Sequence, residues 1–462
     1  MKMSYSDPIL PLIDAALQAL PDAIPEPVLA FQRLRLLDHL ACLAAGYDGS
    51  GVAAALALAR RWSAVGEATV LGAGIRLAAG QAAFVNAVRA RALDFCDVIS
   101  PGWHPSSSDI PVALAMAEHT GASGRDLLAA MAIGQDVGQR INLAAQANGF
   151  FYRGFDSNVL GLLSGAVMAA RLLRLPRDAF LSAVGLAFDF GIGTFQHYQD
   201  KALAVRIGQG LVARHAIEAA QMAQAGLTGP RRILGGENGF FKLYAPGEPD
   251  LAVLTADLGQ RYLGAEATCF KPYPHCSILL ALTDTLLARR GDLPLEKLDA
   301  CTLRLHVSPT MRMVCGAAYA PSETAEIDAQ FSAAYIVANA LLRGAATPAQ
   351  FTAQAAGEPA VCALARRVEI IEDPSYTRFD ACRLTLDLSG AASVVITASF
   401  GRGWPENPLD EAALIRKFML CCGLSASPAL RIGADRIAAE IQALDRASSV
   451  AALVNAMSGP QV

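Results

Sequence analysis

Apolar residues recur at three- and four-residue spacing from Pro8 to about Tyr262, most clearly over 28–45, 81–92 and 126–141, and this period predicts amphipathic helices. Ser123 with Asp126 three residues on is a capping-box pattern, and Gly46 reads as a C-terminal cap. The helices are rich in Ala and Gly, which permits close packing on several sides. After Phe270 the pattern changes. Following a helix over 277–290, residues 302–307 alternate strictly between apolar and polar, the period of a half-buried strand, and 367–371, 383–388 and 394–400 read as further strands. The last two flank Ser389-Gly390-Ala391 as the arms of a hairpin would. Helices over 328–343 and 348–356 lie between the first strands, giving a small α+β unit. A Gly/Pro-rich loop at 401–408 then leads back to helices over 410–421 and 434–444.

Composition narrows the class. A chain of 462 residues with 53% hydrophobic content can bury a large core and is expected to split into two domains. Charged residues interrupt every apolar run before the roughly 20 residues a membrane-spanning helix needs, so no membrane partner is expected. The first residues reach Asp7, Pro8 and Asp14 too soon for a signal-peptide core, and a soluble, cytoplasmic protein is the expectation. A net charge of −4 with no basic stripe argues against a nucleic-acid partner. The ten cysteines show no zinc or iron–sulfur spacing; they read as small buried hydrophobes of a reducing compartment, and no metal is expected.

Chemistry concentrates in residues 93–118, LDFCDVISPGWHPSSSDIPVALAMAE, where Asp94 and Asp97 precede a His-Pro-Ser-Ser turn at His104 and an amphipathic helix. A carboxylate and an imidazole ten residues apart on a Pro/Gly-containing loop are acid/base equipment. The same residues also suit helix capping. His39, His119, His215 and His306 lie on regular helix or strand patterns and read as structural. The glycines at 191–193 and 235–236 lack a preceding strand, so a nucleotide-binding reading is poor.

Seven segments, met in order, carry a resemblance: the one at 93–118, RLRLLDHLACLAAG at 33–46, GFDSNVLG at 154–161 followed by AARLLRL, RIGQGLVARHAIEAAQMAQAGLTGP at 206–230, ILGGENGF at 233–240, FKPYPHC at 270–276 and DAQFSAAY at 328–335. Together they resemble the MmgE/PrpD family, which includes 2-methylcitrate dehydratase, cis-aconitate decarboxylase and iminodisuccinate epimerase. The resemblance implies a mainly α fold, with a large all-helical domain plus a smaller α+β lid domain. The expected boundaries are 1–268 for the helical domain, 269–405 for the lid and 406–462 for C-terminal helices returning to the helical domain. It also implies a homodimer, a small carboxylate substrate and no cofactor.

By position, the resemblance assigns Asp94 and His104 to the family's acid/base loop and Lys271 to its hinge lysine, as the catalytic set. Arg206, near a helix start, would clamp a substrate carboxylate. His275 is a second acid or a turn residue, and Tyr319 matches a lid tyrosine. Asp156 stands where the family has a histidine, as a new base or a partner for Arg153. Val98 stands where many members have Thr, Cys96 replaces an acid, and Val205 replaces a lysine unless Lys201 supplies the charge. These changes predict a preference for mono- or dicarboxylates. The expected activity is a dehydratase-like lyase, with an epimerase, a decarboxylase or a catalytically silent anion-binding relative as alternatives.

Overall fold

The computed structural model describes residues 7–100, 102–146, 153–191, 193–200, 202–388 and 392–458, and the fold is mainly α. The chain divides into two compact units. The first comprises Met1–Ala92, Asp97–Thr268 and Glu411–Val462; the second comprises Leu93–Cys96 and Cys269–Asp410. Four residues from the middle of the helical region thus belong to the second unit, an excursion with no signature in the hydrophobic pattern.

In the first unit the helix Ala204–Gln224 packs against Ala79–Arg91, Pro105–Thr120, Asn158–Leu172 and Arg177–Asp189. Close approach explains glycines in this unit: a Cβ at Gly210 of that helix would lie 2.7 Å from both Phe84 and Val88, and one at Gly138 of the helix Gly124–Gln146 only 2.4 Å from the Trp103 ring. Leu127, Leu128, Leu160, Leu162, Leu163 and Phe180 are fully or almost fully buried among these helices, each worth roughly 1.5–3 kcal/mol on burial. The C-terminal helix Glu411–Leu424 packs on Glu26–Ala45, and the buried Lys417 Nζ donates to Asp38 Oδ1 at 2.7 Å across that contact.

The Ser123 box forms as read, with Asp126 N–H donating to Ser123 Oγ at 3.0 Å and Ser123 N–H to Asp126 Oδ2 at 3.3 Å. Gly46 ends its helix at φ −93°, so it is not a left-handed cap; glycine is needed because a Cβ there would sit 2.2 Å from the Arg89 carbonyl oxygen. The short antiparallel pair Ala68–Val70 and Ile75–Leu77 was not legible, since three residues are too few to show an alternating period.

In the second unit the sheet runs Val368–Glu372, Cys301–Val307, Cys382–Leu388, Val394–Ala398, with the first pair parallel and the others antiparallel. The inward face, with Leu303, Leu305, Val307, Leu384, Leu386 and Ile396, shares a core with Tyr335, Val337 and Leu341 of the helix Ala333–Arg343. Two expected helices are broken. Residues 328–343 divide because Ser332 accepts the Tyr335 N–H at 3.1 Å and starts a new helix, and 348–356 divides where Thr352 accepts the Ala355 N–H at 3.1 Å. Helices Pro309–Cys315 and Pro359–Ala365 are additional. The expected turn at 389–391 lies outside the described residues.

Candidate active site

Chemistry-bearing side chains gather in two clusters, one in each unit. In the second unit Lys271 Nζ donates to Asp94 Oδ2 at 2.9 Å and to the Asp94 carbonyl at 2.7 Å, and both residues are buried. Asp94 has φ +49°, a left-handed conformation that Asp tolerates better than most residues but that still costs about 1–3 kcal/mol. One ammonium therefore holds both ends of a strained residue. Lys271 is itself fixed by its neighbour, since Phe270 N–H donates to the Gly403 carbonyl at 3.1 Å. Gly403 has φ +103°, and a Cβ there would lie 2.0 Å from the Phe270 oxygen.

His275 and Tyr319 both direct polar atoms to the fold of the second unit. His275 Nδ1 lies 3.0 Å from the Cys276 carbonyl and Nε2 lies 2.9 Å from Thr283 Oγ1, so both ring nitrogens serve the fold. Burial pushes this imidazole down to about 4, and nearby Lys271 acts in the same direction, which keeps the ring neutral. Tyr319 donates its hydroxyl to the Ala356 carbonyl at 2.8 Å within the core, and burial raises its pKa. All ten cysteines are buried.

In the first unit the cluster forms at the start of the Pro105–Thr120 helix. His104 is the residue that precedes the helix, and its Nδ1 lies 3.0 Å from the Asp97 carbonyl. A carbonyl can only accept, so Nδ1 carries the proton and the neutral ring has its lone pair on Nε2. The Asp97 carboxylate is in turn held by Arg35 at 2.9 Å, by the Ser106 N–H at 3.1 Å and by Ser106 Oγ at 2.6 Å, with no exposure of either charged side chain. Arg35 also donates to the Gly264 carbonyl at 2.8 Å and to Thr268 Oγ1. Asp97 thereby does the capping that a helix start needs and fixes the His104 tautomer. Deeper in this unit burial pushes His39 down to about 3 and holds the Asp109 carboxyl well above the usual range.

Three helix starts meet beside His104. Ser107 Oγ lies 2.9 Å from the His104 carbonyl and 3.0 Å from Gln209 Oε1, Gln209 Nε2 donates to Asn158 Oδ1 at 2.6 Å, and Asn158 N–H donates to Asp156 Oδ1 at 3.2 Å. Ser107, Asn158 and Gln209 belong to the helices Pro105–Thr120, Asn158–Leu172 and Ala204–Gln224. Converging N-termini favour an anion. Arg206, in the first turn of the last helix, is buried and donates to the Ser50 carbonyl at 3.1 Å, so it is not a solvent-facing charge. Val205 and Val98 are buried too. Lys201 lies outside the described residues.

Asp156 has His197, not Arg153, as its ion-pair partner, with Nε2 to Oδ2 at 2.9 Å. His197 was missed in the sequence because it stands alone in FQHYQ, outside any matched segment. Ser107, Asn158 and Gln209 were missed because each reads as an ordinary helix residue. Among the described residues no group of three or more His, Cys, Asp or Glu could hold a metal, and no helix is long and apolar enough to cross a membrane.

Residues 12–252 match the MmgE/PrpD N-terminal domain, and residues 273–439 match the MmgE/PrpD C-terminal domain. The chain is 28% identical over 403 residues to the cis-aconitate decarboxylase of Homo sapiens, covering 84% of this chain and 82% of that protein. It is 26% identical over 410 residues to that of Mus musculus, covering 84% and 80%. A third relative, the 2-methylcitrate dehydratase of Cupriavidus necator, is 28% identical over 336 residues, covering 67% of this chain and 66% of the relative. With both domain matches in sequence order and spanning most of its length, this chain belongs to the MmgE/PrpD family.

Proposed function

We propose that this protein is a lyase that acts on a small carboxylate by making a carbanion-like centre next to a carboxylate group. The observation that carries this reading is the Lys271–Asp94 pair, a buried ammonium holding a strained carboxylate residue. Strain of this kind persists only where the surroundings impose it, and buried cation–carboxylate pairs suit proton transfer at carbon. Asp94 and His104 take the acid/base roles, His104 through Nε2. Lys271 stabilises negative charge, and Arg206 with the converging helix starts attracts the carboxylate. No step requires a metal or an organic cofactor.

Water loss is one outcome of such a centre. Decarboxylation is the second reading, favoured because relatives named cis-aconitate decarboxylase match across 84% of this chain. The buried Val98 and Val205 support a substrate with fewer than three carboxylates, since an unmatched buried carboxylate costs several kcal/mol. The test is a screen of small mono-, di- and tricarboxylates in deuterated water by proton NMR. It reads exchange, water loss, decarboxylation and inversion together. The expected result is turnover of a mono- or dicarboxylate, faster than of cis-aconitate or 2-methylcitrate. Inversion without loss of a group would replace the lyase by an epimerase, and no reaction with any acid would overturn the proposal.

A further inference from the structure

The pair formed by Asp156 and His197 is built by the chain with some care. Phe155 and Thr194 form an isolated antiparallel bridge, Asp156 N–H donates to the Gly193 carbonyl at 3.3 Å, and Phe195 N–H donates to the Gly154 carbonyl at 2.8 Å. Gly193 permits this with φ +94°; a Cβ there would lie 3.0 Å from Asn158 Nδ2 and 3.2 Å from Asp156 Cβ. The bridge delivers the short helix Gln196–Gln199, and with it the imidazole, to Asp156. On its other side Ser157 Oγ donates to the Gly102 carbonyl at 2.9 Å, two residues before His104. The Asp156 carboxylate is 3% exposed and the His197 side chain 12%. His197 Nε2 itself is buried, so the residual exposure belongs to other atoms of that side chain. The contact is at ion-pair distance without a straight N–H···O alignment, as catalytic pairs often are before substrate arrives.

We propose that His197 is a proton donor of the reaction, working through Nδ1, and that Asp156 is its positioning residue; this rests on the carbon-acid reading above. Asp156 holds the Nε2 side and stabilises the imidazolium. When the substrate's bond breaks, the Nδ1 proton passes to the atom left with the electron pair. In elimination the α C–H pair becomes the new π bond, the C–O pair leaves on oxygen, and that oxygen takes the proton and departs as water. In decarboxylation the C–C pair stays on the α-carbon, which takes the proton as carbon dioxide leaves. Either way His197 ends neutral and is recharged from solvent. A purely structural pair would only cap the Asn158–Leu172 helix and supply its counter-ion.

Three measurements separate these roles. His197→Gln is expected to lower kcat by on the order of 10²–10⁴-fold with KM within a few-fold. Asp156→Asn should lower kcat in the same way, with Asp156→Glu restoring part of it. In deuterated water His197→Gln should still exchange the substrate's α-hydrogen, if the reaction begins there, while product formation falls. Retention of kcat within about threefold by His197→Gln would overturn the assignment. The third measurement needs no substrate: in protein labelled with nitrogen-15 histidine, the His197 ring resonances should shift in Asp156→Asn. If they shift while no carboxylate is turned over, the carbon-acid reading fails and the pairing stands. If they do not shift, the dyad is overturned whatever the activity.

Discussion

Asp94 and Asp97 stand three residues apart, both are buried and both face a cation, yet they belong to different units and are held in different ways. Asp97 is held by Arg35 and two groups of Ser106 at a helix start, and its partner also binds a carbonyl and a hydroxyl. Asp94 sits in a left-handed conformation against the Lys271 ammonium, which also takes its carbonyl. Arginine presents a fixed fork and stays charged, whereas a buried lysine can change protonation. A buried ion pair points to function when its backbone geometry is costly, as at Asp94. Where both carboxylate oxygens are matched and the backbone is relaxed, as at Asp97, it reads as architecture.

The largest effect is expected at Arg35. Arg35→Met leaves Asp97 buried without its cation and is expected to cost about 3–5 kcal/mol of unfolding free energy, read from urea midpoints. A loss below about 1 kcal/mol would remove Asp97 from the architectural side. A smaller effect sharpens the same side through His39, on the Arg35 helix. Burial pushes its folded pKa from 6.5 down to about 3, so on acidification the unfolded chain takes up a proton that the folded chain refuses. Stability contributed here is present above pH 6.5 and falls as pH drops through the interval down to about 3, by about 1.4 kcal/mol per pH unit over the middle of that range. His39→Asn should lack this slope, so the difference in stability between the two proteins should shrink or reverse between pH 6 and 4. Parallel curves would show that His39 is not held neutral.

Much of this was legible in the chain, for identifiable reasons. Long amphipathic periods fixed the helices Glu26–Ala45 and Gly124–Gln146 to within a few residues, and strict alternation marked Cys301–Val307. Boundaries failed where a hydroxyl cap outcompetes periodicity, as at Ser332 and Thr352. Asp94, Lys271 and His104 stand out as candidates because each lies in a segment with chemistry-bearing neighbours close in sequence. The strain at Asp94, the bond from His104 Nδ1 to the Asp97 carbonyl and the Asp156–His197 contact depend on backbone angles or on partners tens of residues away, which periodicity does not encode. Spacing likewise could not show that His275 and Tyr319 spend their polar atoms on the fold.

The central claim, that the strained Asp94 and the tautomer-fixed His104 do chemistry while Asp97 does not, is tested by measuring turnover and unfolding midpoint on the same samples of Asp94→Asn and His104→Ala. Asparagine keeps the left-handed preference at 94, and His104 stands at a helix start whose capping is supplied by Asp97. Each variant is expected to lose on the order of 10²–10⁴-fold in kcat while its thermal midpoint moves little. Nearly full turnover in both variants, or a loss of activity that tracks unfolding, would contradict it.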